Sequence, residues 1–126
     1  MAKTALVIEN DPTILECIEV MFEAEGLEVI SARNGEAGIA LSREHKPDLV
    51  VSDLYMVGLS GIDILDQLRS DPATGQIPFM FITADARDVV RQQCLAKGAD
   101  AFLLKPFTFD QFIDTAMALL QETEPE

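Results

Sequence analysis

The chain has 126 residues, 9 Lys plus Arg against 22 Asp plus Glu, and a formal net charge of −13, which suits one domain and leaves no room for a second of ordinary size. With 48% hydrophobic and 25% charged residues, its composition is that of a globular protein with a core of its own. So acidic a chain, with no basic patch, argues against direct nucleic-acid binding, where Lys and Arg must displace counterions from phosphates; a cation or a basic partner fits better.

Met1 to Lys3 leads straight into an apolar run without the features of a signal peptide, and nothing approaches the ~18 apolar residues that span a bilayer. A cytoplasmic protein without membrane contact is expected. Ala5–Ile8 reads as the first strand. Asp11-Pro12 reads as an N-cap acid with Pro at the first helical position; Ile14, Ile18, Met21 and Phe22 then share one face, Glu16, Glu19 and Glu23 the solvated opposite one, and Gly26 ends the helix. Glu28–Ser31 is the second strand, and a second helix from Gly35 to Glu44 stops before Lys46-Pro47. Leu49–Ser52 is the third strand, followed by a helix from Ile62 to Arg69 and the turn Ser70-Asp71-Pro72. Phe79–Ile82 is the fourth strand, and a helix from Ala86 to Lys97 ends at Gly98. After the fifth strand, Ala101–Leu104, Thr108 and Gln111 make a capping box for a last helix whose inner stripe is Phe109, Phe112, Ile113, Met117 and Leu120. Residues 1–121 are expected to form the domain and 122–126 a C-terminal tail, with no effector domain. Cys17 and Cys94 both fall in helical stretches and read as two reduced, buried thiols.

Alternation of short apolar strands with amphipathic helices predicts an α/β chain folded as a three-layer α/β/α sandwich around a five-stranded parallel sheet. Such sheets bind ligands beyond the carboxyl ends of their strands. Here those ends carry Glu9-Asn10-Asp11, Asp53, Thr83 and Lys105. Each has an ordinary structural reading: Asp11 as a cap, Asp53 as a turn residue, Thr83 as a strand residue, Lys105 as a surface lysine. Together, the acids could hold a hard cation such as Mg2+, and the lysine and hydroxyl could hold phosphoryl oxygens.

The order and spacing of Val7-Ile8-Glu9-Asn10-Asp11-Pro12, Pro47 to Asp53, Met56, Gly61, Ile82-Thr83-Ala84 and Gly98 to Phe107 resemble the receiver domains of two-component response regulators, over essentially the whole chain. The resemblance implies a flavodoxin-like, doubly wound (βα)5 fold and a phosphorelay role. It makes Asp53 the phosphoacceptor, taking a phosphoryl group from a partner histidine kinase or histidine phosphotransfer protein. It places Mg2+ on Glu9, Asn10, Asp53 and the backbone carbonyl of Tyr55, and gives phosphoryl stabilisation to Lys105 and Thr83. Thr83 and Phe102 become the switch pair. Tyr55 and Asp85 become the positions that tune dephosphorylation, bulky Tyr55 hindering the attacking water and lengthening the life of the phosphorylated state.

Downstream partners are expected on the surface of the fourth helix, fifth strand and fifth helix, which includes Arg87, Arg91, Phe102 and Asp110, on a monomer or weak homodimer. The single histidine, His45, reads as a surface residue, the reactive histidine belonging to the partner. Asn10 replaces the family's usual ligating aspartate, which implies weaker Mg2+ binding unless Asp11 gives up its capping role. Val57 replaces a common proline, and Phe102 lacks the hydroxyl of the frequent tyrosine.

Two other readings remain open from sequence. One is an interaction module of the same fold that signals without phosphorylation, motivated by Asn10. The other is a haloacid-dehalogenase-type phosphatase, although that class wants a second acid two residues after the nucleophile, where Asp53-Leu54-Tyr55 has tyrosine. No phosphate-binding GxxxxGKS/T or GxGxxG motif is present.

Overall fold

A computed structural model describes residues 2–122. Strands and helices alternate as β1 (Thr4–Ile8), α1 (Pro12–Ala24), β2 (Glu28–Ala32), α2 (Gly35–His45), β3 (Leu49–Asp53), α3 (Gly61–Ser70), β4 (Phe79–Thr83), α4 (Asp88–Ala96), β5 (Ala101–Leu104) and α5 (Phe109–Glu122). All strand pairs are parallel, in the order β2-β1-β3-β4-β5. The expected three-layer, flavodoxin-like sandwich is what forms. Of the expected C-terminal tail, Glu122 is the last residue of α5, and residues 123–126 lie outside the described residues.

The central strands are apolar along their length because both faces of the sheet are covered. Ala5, Val7, Val51, Met80 and Ile82 point to one side, where α1 and α5 supply Leu15, Ile18, Phe22, Phe112, Ala116 and Leu119. Leu6, Ile8, Val50, Phe79 and Phe81 point to the other, against Ile39, Ile64, Leu65, Leu68, Val90 and Cys94 from α2, α3 and α4. This period of two places consecutive residues of one strand in different cores.

Helix ends follow their local chemistry. Asp11 caps α1, its Oδ1 accepting from the amides of Thr13 (2.9 Å) and Ile14 (3.4 Å). Thr108 and Gln111 form the expected box at α5. A second box, Ser60 with Asp63, starts α3. Helix α4 begins at Asp88 rather than Ala86, and its N-cap, Arg87, makes no side-chain cap bond.

Three expectations are corrected. Cys17 is exposed, because the buried stripe of α1 runs through Leu15, Ile18 and Phe22 and leaves position 17 outside it; Cys94 is buried as expected. Phe109 is 47% exposed, since it opens α5 before that helix meets the sheet, and the covered stripe runs through Phe112, Ile113, Ala116, Leu119 and Leu120. Glu19, assigned to the solvated face of α1, accepts a 2.6 Å bond from the Ser31 hydroxyl and so ties α1 to β2.

Arg69, at the end of α3, staples the edge of the sheet opposite the carboxyl ends. Its guanidinium donates to the carbonyls of Gly98 (2.9 and 3.2 Å), Gly75 (3.2 Å) and Ile77 (2.7 Å) and pairs with Asp100 at 3.0 Å. Asp100 in turn accepts from the Phe79 amide at the start of β4. Gly98 takes φ +110°, a backbone conformation costly for other residues, and a side chain there would press on Arg69. Arg69→Met keeps the apolar stem but leaves these carbonyls without their donor. Urea unfolding is expected to show a loss of about 2–3 kcal/mol with an unchanged m-value.

Candidate functional site

Strand order reverses between β1 and β3, and the crevice beyond their carboxyl ends is where an open α/β sheet places a ligand. Glu9, just past β1, is fully buried, and Asp53, the last residue of β3, is 8% exposed. Lys105 follows β5 and reaches back over the sheet: its Nζ lies 2.8 Å from Glu9 Oε1 and 3.4 Å from Asp53 Oδ2. The other Glu9 oxygen, Oε2, accepts from the Asp11 amide at 3.0 Å. Burial pushes the Asp53 carboxyl above its ordinary value of 3.8; the negative charge of Glu9 adds to the rise and Lys105 opposes it.

Behind Asp53 the backbone is packed tightly. A Cβ on Gly61 would lie 2.5 Å from the Asp53 carbonyl oxygen and 2.6 Å from Phe81 Cε1, so α3 can start against this site only with glycine there. Ser52 donates its hydroxyl to the same carbonyl at 2.8 Å.

The other expected residues are distributed around this centre. Thr83, buried at the end of β4, accepts from the Asp85 amide at 3.2 Å, which leaves its hydroxyl proton free to donate. Asn10 is exposed. Asp11 is held in its capping bonds and does not turn towards the acids. Tyr55 is 53% exposed, its phenol donating to Asp85 Oδ2 at 2.5 Å. Phe102 is half-buried on the α4 side of β5. His45 is exposed at the end of α2. Thus the fold brings Glu9, Asp53 and Lys105 into contact and sets Thr83 on the adjoining strand.

Sequence reasoning missed Arg87 as a neighbour of the site: it grips Asp85 through both carboxylate oxygens. A local signal existed, because an Asp two residues before Arg87 favours an Asx turn, and Asp85 Oδ1 does accept the Arg87 amide at 3.1 Å. The close packing at Gly61 had no signal beyond the glycine itself.

Among the described residues, no group of three or more His, Cys, Asp and Glu side chains is arranged to hold a metal ion. Glu9 and Asp53 are two like-charged buried carboxylates, so the side-chain ligands they could offer a cation are oxygens. That chemistry suits a hard cation that retains much of its water, bound through one or two carboxylates.

A five-stranded 2-1-3-4-5 parallel sheet with an acid pair and a lysine at its switch point and a threonine on the adjoining strand defines a doubly wound α/β domain with a charged site at its carboxyl edge. The family model for the response regulator receiver domain matches residues 5–117. The polar-differentiation response regulator DivK of Brucella anthropi is 30% identical over 120 residues, covering 95% of this chain and 98% of DivK. The phosphate regulon transcriptional regulatory protein PhoB of Pseudomonas aeruginosa is 33% identical over 125 residues, covering 99% of this chain and 55% of PhoB, so the chain spans about half of that relative. By structure, the receiver domain of sensor histidine kinase PA1611 from Pseudomonas aeruginosa, which has a magnesium ion coordinated in its active site cleft, shares the fold at a TM-score of 0.88 and 21% identity, over 96% of this chain and 99% of that one. The chain belongs to the response regulator receiver domain family and is a receiver domain of two-component signalling.

The raised pKa of Asp53 has a definite sign for stability. The folded state binds this proton more tightly than the unfolded chain, so the Asp53 contribution to stability is lost as pH rises from the ordinary carboxylate value through the raised one. Asp53→Asn removes that penalty. The variant is expected to melt at a higher temperature than the parent at pH 7, with the difference shrinking as pH falls towards 4; equal melting temperatures at pH 7 would contradict the assignment.

Proposed function

We propose that Asp53 is the phosphoacceptor of this receiver domain, and that residues 1–121 act as one phosphorylation-driven switch in the cytoplasm. The observation that supports this most is the contact of Lys105 with Glu9 and Asp53 at the switch point of the sheet. A carboxylate oxygen of Asp53 attacks the phosphorus of a phosphohistidine on a histidine kinase or phosphotransfer protein. The P–N bond breaks, its electron pair returns to the imidazole nitrogen, and an acyl phosphate remains on Asp53. Lys105 is placed to pair with the transferred group, and the Thr83 hydroxyl to donate to one of its oxygens.

Glu9, Asn10, Asp53 and the Tyr55 carbonyl would hold Mg2+, whose charge offsets the repulsion between the carboxylates and an incoming phosphoryl group. The magnesium in the related kinase receiver supports this reading. With Asn10 in place of an acid, the site draws the cation less strongly.

A hydrogen bond to a charged group is worth about 1.5–3 kcal/mol, so the Thr83 contact alone shifts a two-state equilibrium by about one to two orders of magnitude. Phe102, on the opposite side of β5 from Leu103, responds at the surface made by α4, β5 and α5, where a downstream protein or a second copy of the chain would read the change. Receiver domains interact with histidine kinases and with downstream proteins, and no helix among the described residues is long and apolar enough to cross a membrane.

One observation favours a second reading. The missing acid at position 10 leaves only two carboxylates at the site, which suits an interaction module that works without phosphate. A single experiment separates them. Incubation with phosphoramidate and Mg2+ followed by intact-mass measurement is expected to add one phosphate to the parent and none to Asp53→Asn or to the parent without Mg2+. An unlabelled parent would establish the phosphate-independent module, and a labelled Asp53→Asn would overturn the site. Asn10→Asp is expected to lower the Mg2+ concentration for half-maximal labelling about tenfold, the Coulomb gain being moderated by solvent at this exposed position.

A further inference from the structure

We infer that Arg87 is a positioning residue for the phosphoryl group's lifetime, holding Asp85 and Tyr55 as a clasp between the β3–α3 and β4–α4 connections. The kinetic part of this inference rests on the phosphoacceptor reading of Asp53; the clasp itself does not.

The clasp is continuous from surface to site. Arg87 Nη2 lies 2.7 Å from Asp85 Oδ2, and its Nε lies 2.9 Å from Asp85 Oδ1, a two-point grip that only a guanidinium provides. Tyr55 donates its phenol to Asp85 Oδ2 at 2.5 Å, and Arg87 Nη2 stands 3.5 Å from the same phenol oxygen. The Asp85 amide donates to Thr83 Oγ1, the hydroxyl assigned to the phosphoryl oxygens. Tyr55 itself follows Asp53 by two residues. One ion pair therefore holds, through Asp85, both the ring of Tyr55, two residues along the chain from the phosphoacceptor, and the residue whose amide meets the Thr83 hydroxyl.

Two features argue that Arg87 is there for the clasp rather than for the helix it precedes. As N-cap of α4 it makes no side-chain cap bond. The carboxylate it holds is well covered, the Asp85 side chain being 11% exposed although Arg87 is 69% exposed. An unpaired carboxylate at that depth beside the site would repel a phosphoryl group, and the guanidinium cancels it. Without Arg87, Asp85 turns to solvent, Tyr55 loses its acceptor and the ring no longer screens the acyl phosphate from water.

Tyr55 is the only tyrosine and the chain has no tryptophan, so the tyrosine band of the near-ultraviolet circular dichroism spectrum reads the immobilisation of this ring alone. If Arg87 holds the clasp, Arg87→Gln at pH 7 loses most of that band while the far-ultraviolet spectrum is unchanged. If the Tyr55–Asp85 bond stands by itself, the band keeps the parent's intensity, and that result overturns the inference. Dephosphorylation, followed by intact mass after removal of phosphoramidate, is expected to be about two- to fivefold faster in Arg87→Gln, with Arg87→Lys between it and the parent. An unchanged rate would refute the kinetic role. A parent that takes no phosphate would refute both the phosphoacceptor reading and the kinetic role, and the circular dichroism band of Tyr55 then decides alone whether Arg87 holds the clasp.

Discussion

Burying Glu9 completely and Asp53 almost completely sets two negative charges together at the ends of neighbouring strands, and the ammonium of Lys105 is what makes that tolerable. Desolvation and mutual repulsion both disfavour ionised Asp53, and only the lysine opposes them from a side chain. Taking the lysine away from buried acids of this kind generally costs about 3–5 kcal/mol, because their charge is left without compensation. The topology follows from this need. Lys105 follows β5, two strands away from β3 and three from β1, so the sheet must hold all of those strands in register for one long side chain to reach both acids.

The same constraint explains why the site is preorganised and yet reactive. Asp53 is held by its backbone: Ser52 donates to its carbonyl, Gly61 packs against it, and the Leu54 amide donates to the Ile82 carbonyl. Its carboxyl, by contrast, carries an unfavourable charge at neutral pH. A group that relieves this repulsion, whether a bound cation or a covalent change at Asp53, alters the interactions of Glu9, Lys105 and Thr83 together. That shared dependence gives a local chemical event the differential contacts that a population shift requires.

Strands and the outer features of the site were legible because their signals are local or topological. Doubly covered strands must be apolar runs, Asp11-Pro12 and Thr108 with Gln111 encode their own helix starts, and the rule for strand ends selected Glu9, Asp53, Thr83 and Lys105 without knowledge of any contact. What escaped depends on distance in sequence or on small angles around a helix. Cys17 sits beside buried Ile18, and apolar spacing that includes both does not say which one faces the sheet. The Tyr55–Asp85 bond joins residues 30 apart, and the Arg69 staple joins α3 to carbonyls up to 29 positions away. Position 87 read as one more residue of the fourth helix and its partner-facing surface, since nothing in the sequence places Tyr55 beside it.

Charge is distributed unevenly for a chain of −13. Lys105 leaves one net negative charge among itself, Glu9 and Asp53, and Arg87 cancels Asp85 nearby. The uncharged Asn10 keeps that balance from becoming more negative. Most of the acidic surplus instead lies on outward surfaces such as the exposed Glu16 and Glu23 of α1. The site is thereby a weaker trap for a divalent cation than a three-carboxylate cluster, and also a weaker barrier to an anionic phosphoryl donor. On the proposed reading of Asp53 as phosphoacceptor with Mg2+ beside it, Asn10 trades one for the other: the cation would be held less firmly, while the group to be transferred would meet less repulsion on its way to Asp53.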